Sequence, residues 1–178
     1  MKKIIVLSIA AIAVLAVAAY YLFIKEPVFK ATNGYLVNLN TKGVIIEGYD
    51  PVAYFTDNKP VKGNEQFTAQ FESATYWFAS AEHAEIFKRD PKKYAPQYGA
   101  FCGYAVSIGK LRPVDPLIYQ VEDGRLILQH TKEAYDLFNK DLKSSTAKAD
   151  KYWPGIVADH VGKPAQYDKP AGSATLAK

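Results

Sequence analysis

The chain has 178 residues, a net charge of +4 and a single cysteine, and these values exclude several classes of protein. About 150 residues follow the apolar N-terminus, which is the size of one ordinary domain. Lysine and arginine are scattered among aspartate and glutamate, so no basic stripe predicts a nucleic-acid partner. One cysteine excludes an internal disulfide and, with three scattered histidines, excludes a closed structural zinc site.

Two lysines precede an apolar run from Ile4 to Ile24, which is long enough to span a membrane as a helix of ~20 residues. Two interpretations stay open for residues 1–25: a signal anchor, favoured by the apolar continuation past Ala18, or a signal peptide cleaved at the small residues 16–18. Both keep the lysines in the cytoplasm. We therefore expect a protein of the cell envelope, anchored in the inner membrane and facing the periplasm, or exported.

Turn signals and composition divide the rest of the chain. Residues 26–43 contain turn-prone Asn and Gly and are expected to form a linker or a peripheral strand. Residues 44–156 should form the folded domain. Residues 157–178 become rich in Gly, Pro, Ala, Ser and Lys, which predicts a disordered tail. No internal repeat is apparent in the sequence.

The first half of the domain predicts a short buried strand, a hairpin and a helix. The strand is expected at residues 44–46. Apolar and polar residues alternate over 66–71, and the aromatic, β-favouring segment 75–79 follows a short turn, which is typical of a hairpin. Ser80 is a good helix N-cap, and the helix should run to Arg89, where Asp-Pro stops it.

The second half predicts another hairpin and two more helices. An Asp-Gly pair lies between the β-favouring segments 117–122 and 125–129, and this is the strongest hairpin signal in the chain. Thr131 is expected to cap a helix, and a second short helix should begin near Ser145 and end at Pro154. The expected fold class is α+β: small antiparallel hairpins packed with two or three short helices, preceded by the N-terminal transmembrane or signal helix.

Four motifs occur in a fixed order: GYDPVAYF at residues 48–55, YWFASAEH at 76–83, DPKKY at 90–94 and YGAFC at 98–102. Together they resemble the YHS domain family, in its bacterial exported branch, some members of which are described as selenoproteins. The resemblance covers about residues 48–154, most of the exported part of the chain.

The resemblance implies metal binding, because the wider YHS group is similar to small modules of copper- and heavy-metal-handling proteins. Two cysteine ligands of those modules match Ala53 and Ala79 here, so two expected thiols are absent. The last ligand of the modules matches His83. A metal site in this chain therefore needs His83 with a new partner, and Cys102 is the natural choice.

Cys102 lies between Gly99 and Gly103, and glycines permit close approach of a backbone or a ligand. One interpretation is a buried apolar cysteine in a tight strand, since free cysteine is among the most buried residue types. The other is a soft-metal ligand or a redox thiol. Selenoproteins among the relatives favour a functional sulfur, because selenium gains nothing at a structural site.

His83 and Asp50 complete the set of candidate site residues. His83 follows a helix N-terminus, which disfavours the protonated ring, and metal binding requires the neutral ring. Its alternative role is a partly buried histidine bonded to a tyrosine or the backbone. Asp50 precedes Pro51, so it is either a turn residue or a further ligand or orienting partner at the site.

The leading expectation is an exported protein that binds a soft metal ion, copper above others, through Cys102 and His83. Thiolate and imidazole suit Cu(I). A second copy of the chain could complete the site as a homodimer. A thiol redox protein that uses Cys102 without metal, with His83 lowering its pKa, remains open. A structural or partner-binding module also remains open, and no motif favours an enzyme.

Overall fold

The computed structural model describes residues 29–32, 35–161 and 164–165. The predicted anchor at 1–25 and most of the predicted tail lie outside the described residues. Within the described part of the chain, no helix combines the length and the apolar character that crossing a membrane requires. The signal-anchor interpretation therefore stays a prediction.

Short antiparallel strand pairs and helices make up the fold, and the expected α+β class with small hairpins is confirmed. The described residues contain six α-helices and not the two or three expected. A three-stranded sheet has the order β2-β1-β7, while β3 pairs with β4 and β5 pairs with β6. The strands are β1 Phe29–Thr32, β2 Tyr35–Leu36, β3 Asn64–Phe71, β4 Ala74–Phe78, β5 Asp115–Glu122, β6 Arg125–Gln129 and β7 Pro164–Ala165. The helices are α1 Ala53–Thr56, α2 Ala81–Arg89, α3 Pro91–Tyr94, α4 Gly103–Ser107, α5 Lys132–Asn139 and α6 Leu142–His160.

The two hairpins, β3-β4 and β5-β6, share one register. Thr68 faces Trp77 and Tyr119 faces Leu128, and each pair follows a bulge at the same place in its hairpin. Each later residue pair of β3-β4 likewise corresponds to a pair of β5-β6. Corresponding residues of the two hairpins are always separated by the same number of positions along the chain. Both hairpins also turn through two residues of positive φ, the conformation that a two-residue hairpin turn of the right twist requires.

The segments that flank the hairpins correspond as well. Before each hairpin the chain makes a turn of three consecutive residues with positive φ, at 46–48 and at 98–100. Asp50 or Cys102 follows two residues later and leads into a short helix, α1 or α4. After each hairpin a hydroxyl caps a helix. Ser80 Oγ accepts from the backbone N–H of His83, and Thr131 Oγ1 from that of Ala134, both at 3.1 Å.

The domain is therefore an internal duplication of residues 46–90 and 98–141, and the expectation of no repeat is wrong. The repeats share geometry but few residue types, which is why the sequence does not reveal them. Between these ranges the conserved pairs are Ala53 and Ala105, Glu82 and Glu133, Phe87 and Phe138, and Asp90 and Asp141. Phe87 and Phe138 are fully buried, each in a different hydrophobic cluster.

Two local expectations are wrong. Residues 44–46 do not form a strand, because Ile46 has φ 51° and begins the left-handed turn, leaving only isolated bridges at Val44 and Ile45. The last helix does not end at Pro154 but continues to His160. Trp153 precedes this proline and packs against the rings of Tyr98 and Phe101. This packing stabilises α6 at the position where Pro154 interrupts its backbone hydrogen bonds.

Candidate functional site

Asp50 is fully buried in the loop between the first left-handed turn and α1. Its Oδ1 accepts from the backbone N–H of Val52 at 2.8 Å and of Ala53 at 3.4 Å. Its Oδ2 accepts from the backbone N–H of Ala79 at 2.8 Å. We call this set of three amides the Asp50 cradle. Pro51 helps to build it, because a residue before proline avoids the helical region and so lets Asp50 turn back onto α1.

His83, on the first turn of α2, makes the fourth bond to Asp50. Its Nδ1 lies 2.6 Å from Asp50 Oδ2. A carboxylate only accepts, so the hydrogen of the neutral ring is assigned to Nδ1 and the lone pair to Nε2. The side chain of His83 is 16% exposed, and its Nδ1 is fixed by the fully buried side chain of Asp50.

Asp57, at the end of α1, faces this free nitrogen. Its Oδ1 lies 4.0 Å from His83 Nε2, and its side chain is 35% exposed. Thr56 Oγ1 donates to the same oxygen at 2.8 Å, which orients the carboxylate. The 4.0 Å gap is close to the sum of two metal–ligand bonds of about 2 Å each, so nitrogen and oxygen could hold one ion between them. The sequence analysis did not select Asp57, because nothing local pairs it with His83.

Cys102 is the N-cap residue of α4 and does not lie in a strand, where one of the two sequence interpretations placed it. It is 1% exposed, and its Sγ donates to Gln129 Oε1 at 3.2 Å. The N–H of Tyr104 donates to Gln129 Oε1 at 3.0 Å. The backbone N–H groups of Tyr104, Ala105 and His130 lie near the sulfur and favour its charged form. Burial outweighs them and raises the pKa of Cys102, so the expectation of a lowered thiol pKa is wrong in direction.

The duplication explains why Cys102 and His83 have different partners. Cys102 occupies the position of Asp50 in the second repeat, and Ala134 occupies the position of His83. Cys102 packs with Ala105 and Ala134. Within the described ranges, no three or more His, Cys, Asp or Glu side chains gather closely enough to hold a metal ion. Cys102, His83 and Asp50 thus do not form a three-ligand site, and a two-ligand pairing of Cys102 with His83 stays a prediction.

Comparison with known proteins gives no match, whether to a family model, to a curated protein or to a solved structure. The YHS resemblance therefore rests on the residues that carry it and stays a prediction. The site must be interpreted from its own chemistry.

Proposed function

We propose that this domain binds a divalent transition-metal ion, copper(II) above others, through His83 Nε2 and Asp57 Oδ1. Solvent completes the coordination sphere, so the site is open and its affinity is modest. This proposal keeps His83 from the sequence prediction and replaces Cys102 by Asp57 as the second ligand. Asp50 acts on the metal through His83 and does not touch it.

The bond between Asp50 and His83 is the observation that carries the proposal. Histidines that bind metals almost always donate the other ring N–H to a carboxylate, a carbonyl or a water, which fixes the tautomer and raises the basicity of the ligating nitrogen. The 2.6 Å bond from His83 Nδ1 to Asp50 supplies this arrangement. A histidine with a purely structural role has no need for a second carboxylate opposite its Nε2.

The donor atoms favour copper(II). Imidazole nitrogen with carboxylate oxygen is a borderline to hard set, which suits Cu(II) and Ni(II) in tetragonal geometry, and Cu(II) binds most tightly in the divalent series. Cu(I) prefers thiolate, and Cys102, the one thiol of the chain, is buried with a raised pKa. A thiolate site at Cys102 would require exposure and deprotonation of this sulfur.

Competition against a chromogenic chelator, with Cu(II), Zn(II) and Cu(I) in separate titrations of the full chain, tests the proposal. We expect Cu(II) to bind more tightly than Zn(II), and His83→Ala to weaken Cu(II) binding by about 100-fold, which is the upper range for loss of a ligand's support. Asp50→Asn should weaken it by about 10-fold, because the ring loses its fixed tautomer.

Two matched variants complete the experiment. His130→Ala removes an exposed histidine and should leave the affinity for Cu(II) unchanged. Cys102→Ser should also leave it unchanged. If His83→Ala binds Cu(II) as tightly as the wild type, the proposed function is wrong. If Cys102→Ser abolishes tight Cu(I) binding, the result favours the sequence prediction of a metal site formed by Cys102 and His83.

A further inference from the structure

The surroundings of Cys102 repeat the Asp50 cradle group by group. Asp50 Oδ1 and Oδ2 together take three backbone N–H groups, and three backbone N–H groups near Cys102 Sγ favour the charged form of the sulfur. The equivalent pairs of amides are Val52 and Tyr104, Ala53 and Ala105, and Ala79 and His130. The backbone N–H groups of Asp50 and Cys102 also match, since they donate to Val61 O and Arg112 O, respectively. The second repeat thus contains an anion cradle that holds a neutral thiol.

Gln129 adds an unused donor to this second cradle. Its side chain is 0% exposed, and its Nε2 has no hydrogen-bond partner among the described residues. Its Oε1 accepts from Cys102 Sγ at 3.2 Å and from Tyr104 N–H at 3.0 Å, so the amide lies directly against the sulfur. A half-turn of the amide, which exchanges two groups of nearly equal shape, presents Nε2 to the sulfur instead. Buried donors without acceptors are rare, and this one indicates that an acceptor is missing at Cys102.

The residue at the position of His83 is small in the second repeat, where Ala134 takes its place. In the first repeat the imidazole of His83 fills the position beside the carboxylate and donates to it. In the second repeat the equivalent residue has only a methyl group, and it packs with Cys102 and Ala105. The second repeat therefore has no imidazole donor at this position. Gln129 provides an amide donor from another direction, and its equivalent in the first repeat is the apolar Phe78.

We infer that Cys102 is a modification site, at which a hydroperoxide adds two oxygen atoms to the sulfur and the cradle holds the resulting sulfinate. The reaction requires the exposure and deprotonation that the folded site resists, since the sulfur is 1% exposed and burial raises its pKa. In a locally opened molecule the thiol first loses its proton to water. The thiolate then attacks one oxygen of the peroxide, the O–O bond breaks, water leaves and a sulfenate forms. The sulfenate sulfur attacks a second peroxide in the same way. Each step oxidises the sulfur by two electrons, reduces one peroxide and releases one water.

The sulfinate has the shape and charge of the Asp50 carboxylate, with two oxygens on one atom next to Cβ. One oxygen takes the N–H groups of Tyr104 and Ala105, as Asp50 Oδ1 takes two amides of its own helix. The other takes the N–H of His130 and the Nε2 of Gln129, as Asp50 Oδ2 takes one amide and one imidazole N–H. Every donor of the cradle then has an acceptor, while Gln129 Oε1 gives up the two bonds that it accepts in the thiol form.

Replacement of Cys102 by aspartate tests the cradle without oxidation, because aspartate mimics the sulfinate. We expect Cys102→Asp in the full chain to unfold cooperatively, with a Tm within about 5 °C of the wild type. Val106→Asp is the matched control, since Val106 is fully buried on the same helix, α4, within a hydrophobic cluster. Its Tm should fall by more than ~10 °C. Equal losses in the two variants would overturn the inference.

Gln129→Leu assigns the role of the unused donor. Alone it should lower the Tm, because Tyr104 N–H loses its acceptor. In the Cys102→Asp background it should lower the Tm further, because one carboxylate oxygen loses its amide donor. An equal shift in both backgrounds would contradict the proposed role of Nε2.

Treatment of the full chain with hydrogen peroxide tests the reaction itself. Peptide mass mapping should show a gain of two oxygen atoms on the peptide that contains Cys102, without further oxidation to sulfonate, and the product should melt no lower than the untreated protein. Met1, the one methionine of the chain, lies on another peptide and reports that the oxidant is active. An unmodified Cys102 beside fully oxidised Met1, or a modified protein with a lowered Tm, would overturn the inference.

Discussion

Asp50 is a fully buried charge whose two oxygens accept from three backbone N–H groups and from His83. A buried carboxylate is tolerated when its lone pairs are bonded in this way. The same bonds link three separate parts of the first repeat: the loop before α1, the end of β4 and the first turn of α2. Asp50 is thus a structural residue and, at the same time, the group that determines which nitrogen of His83 is free.

Asp50→Asn should reduce the free energy of unfolding by about 3 kcal/mol, because the new amide nitrogen faces donors and leaves at least one of them unpaired. Urea denaturation measures the change. Asp57→Asn, on a partly exposed carboxylate, should change stability by less than about 0.5 kcal/mol. A loss as small as this for Asp50→Asn would contradict the bonding of the cradle.

The buried thiol of Cys102 should make the free energy of unfolding depend on pH in the alkaline range. Because burial raises its pKa, the folded protein keeps the thiol proton at pH values where the unfolded chain, with a thiol pKa near 8.5, releases it. The stabilisation is fully present below about pH 8.5 and is lost as the pH rises toward the folded pKa, by at most about 1.4 kcal/mol per pH unit. Urea denaturation from pH 7 to pH 10 should show a steeper loss in the wild type than in Cys102→Ala, and parallel curves would contradict it.

At the scale of elements, the left-handed turn before α4 positions Cys102. Gly99 lies at its centre with φ +57°, and a Cβ added there would lie 2.0 Å from Leu36 O. The carbonyl of Gly99 also accepts from Asn38 N–H at 2.8 Å. The segment that follows β2 therefore packs against this turn at a distance that only glycine permits.

Gly99→Ala should therefore lower the free energy of unfolding by more than about 3 kcal/mol, since both the close approach and the positive φ are lost. Gly109→Ala is the matched control: it has φ +75° and nothing within 4 Å of its added Cβ, so it tests the backbone strain alone, of roughly 1–2 kcal/mol. Thermal melts of both variants measure the difference. Equal losses of stability in the two variants would show that Leu36 O does not lie close to Gly99.

The elements that the sequence predicted are those with local signals. The Asp-Gly pair before Arg125 and the capping hydroxyls of Ser80 and Thr131 are sufficient to predict the second hairpin and helices α2 and α5. The left-handed turns were missed because Ile46, a β-branched residue with positive φ, contradicts every local preference. Only the surrounding packing can impose that conformation.

At the scale of the whole molecule, two repeats with the same backbone geometry hold different side chains at equivalent positions. The first holds a carboxylate with a histidine, and the second holds a thiol with an amide. This division was beyond prediction from the sequence, because Asp57 and Gln129 gain their roles only through contacts with distant segments. Cys102 and His83 were selected from the sequence as candidate site residues, but the sequence could not indicate that they occupy different positions of two repeats.

The central claim is that His83, and not Cys102, supplies the metal ligand. Electron paramagnetic resonance of the full chain with one equivalent of Cu(II) tests it most directly. The spectrum should show coupling to one imidazole nitrogen in the wild type and in Cys102→Ser, and that coupling should vanish in His83→Ala. A spectrum that survives His83→Ala unchanged, or a thiolate-to-copper charge-transfer band that disappears in Cys102→Ser, would contradict the claim.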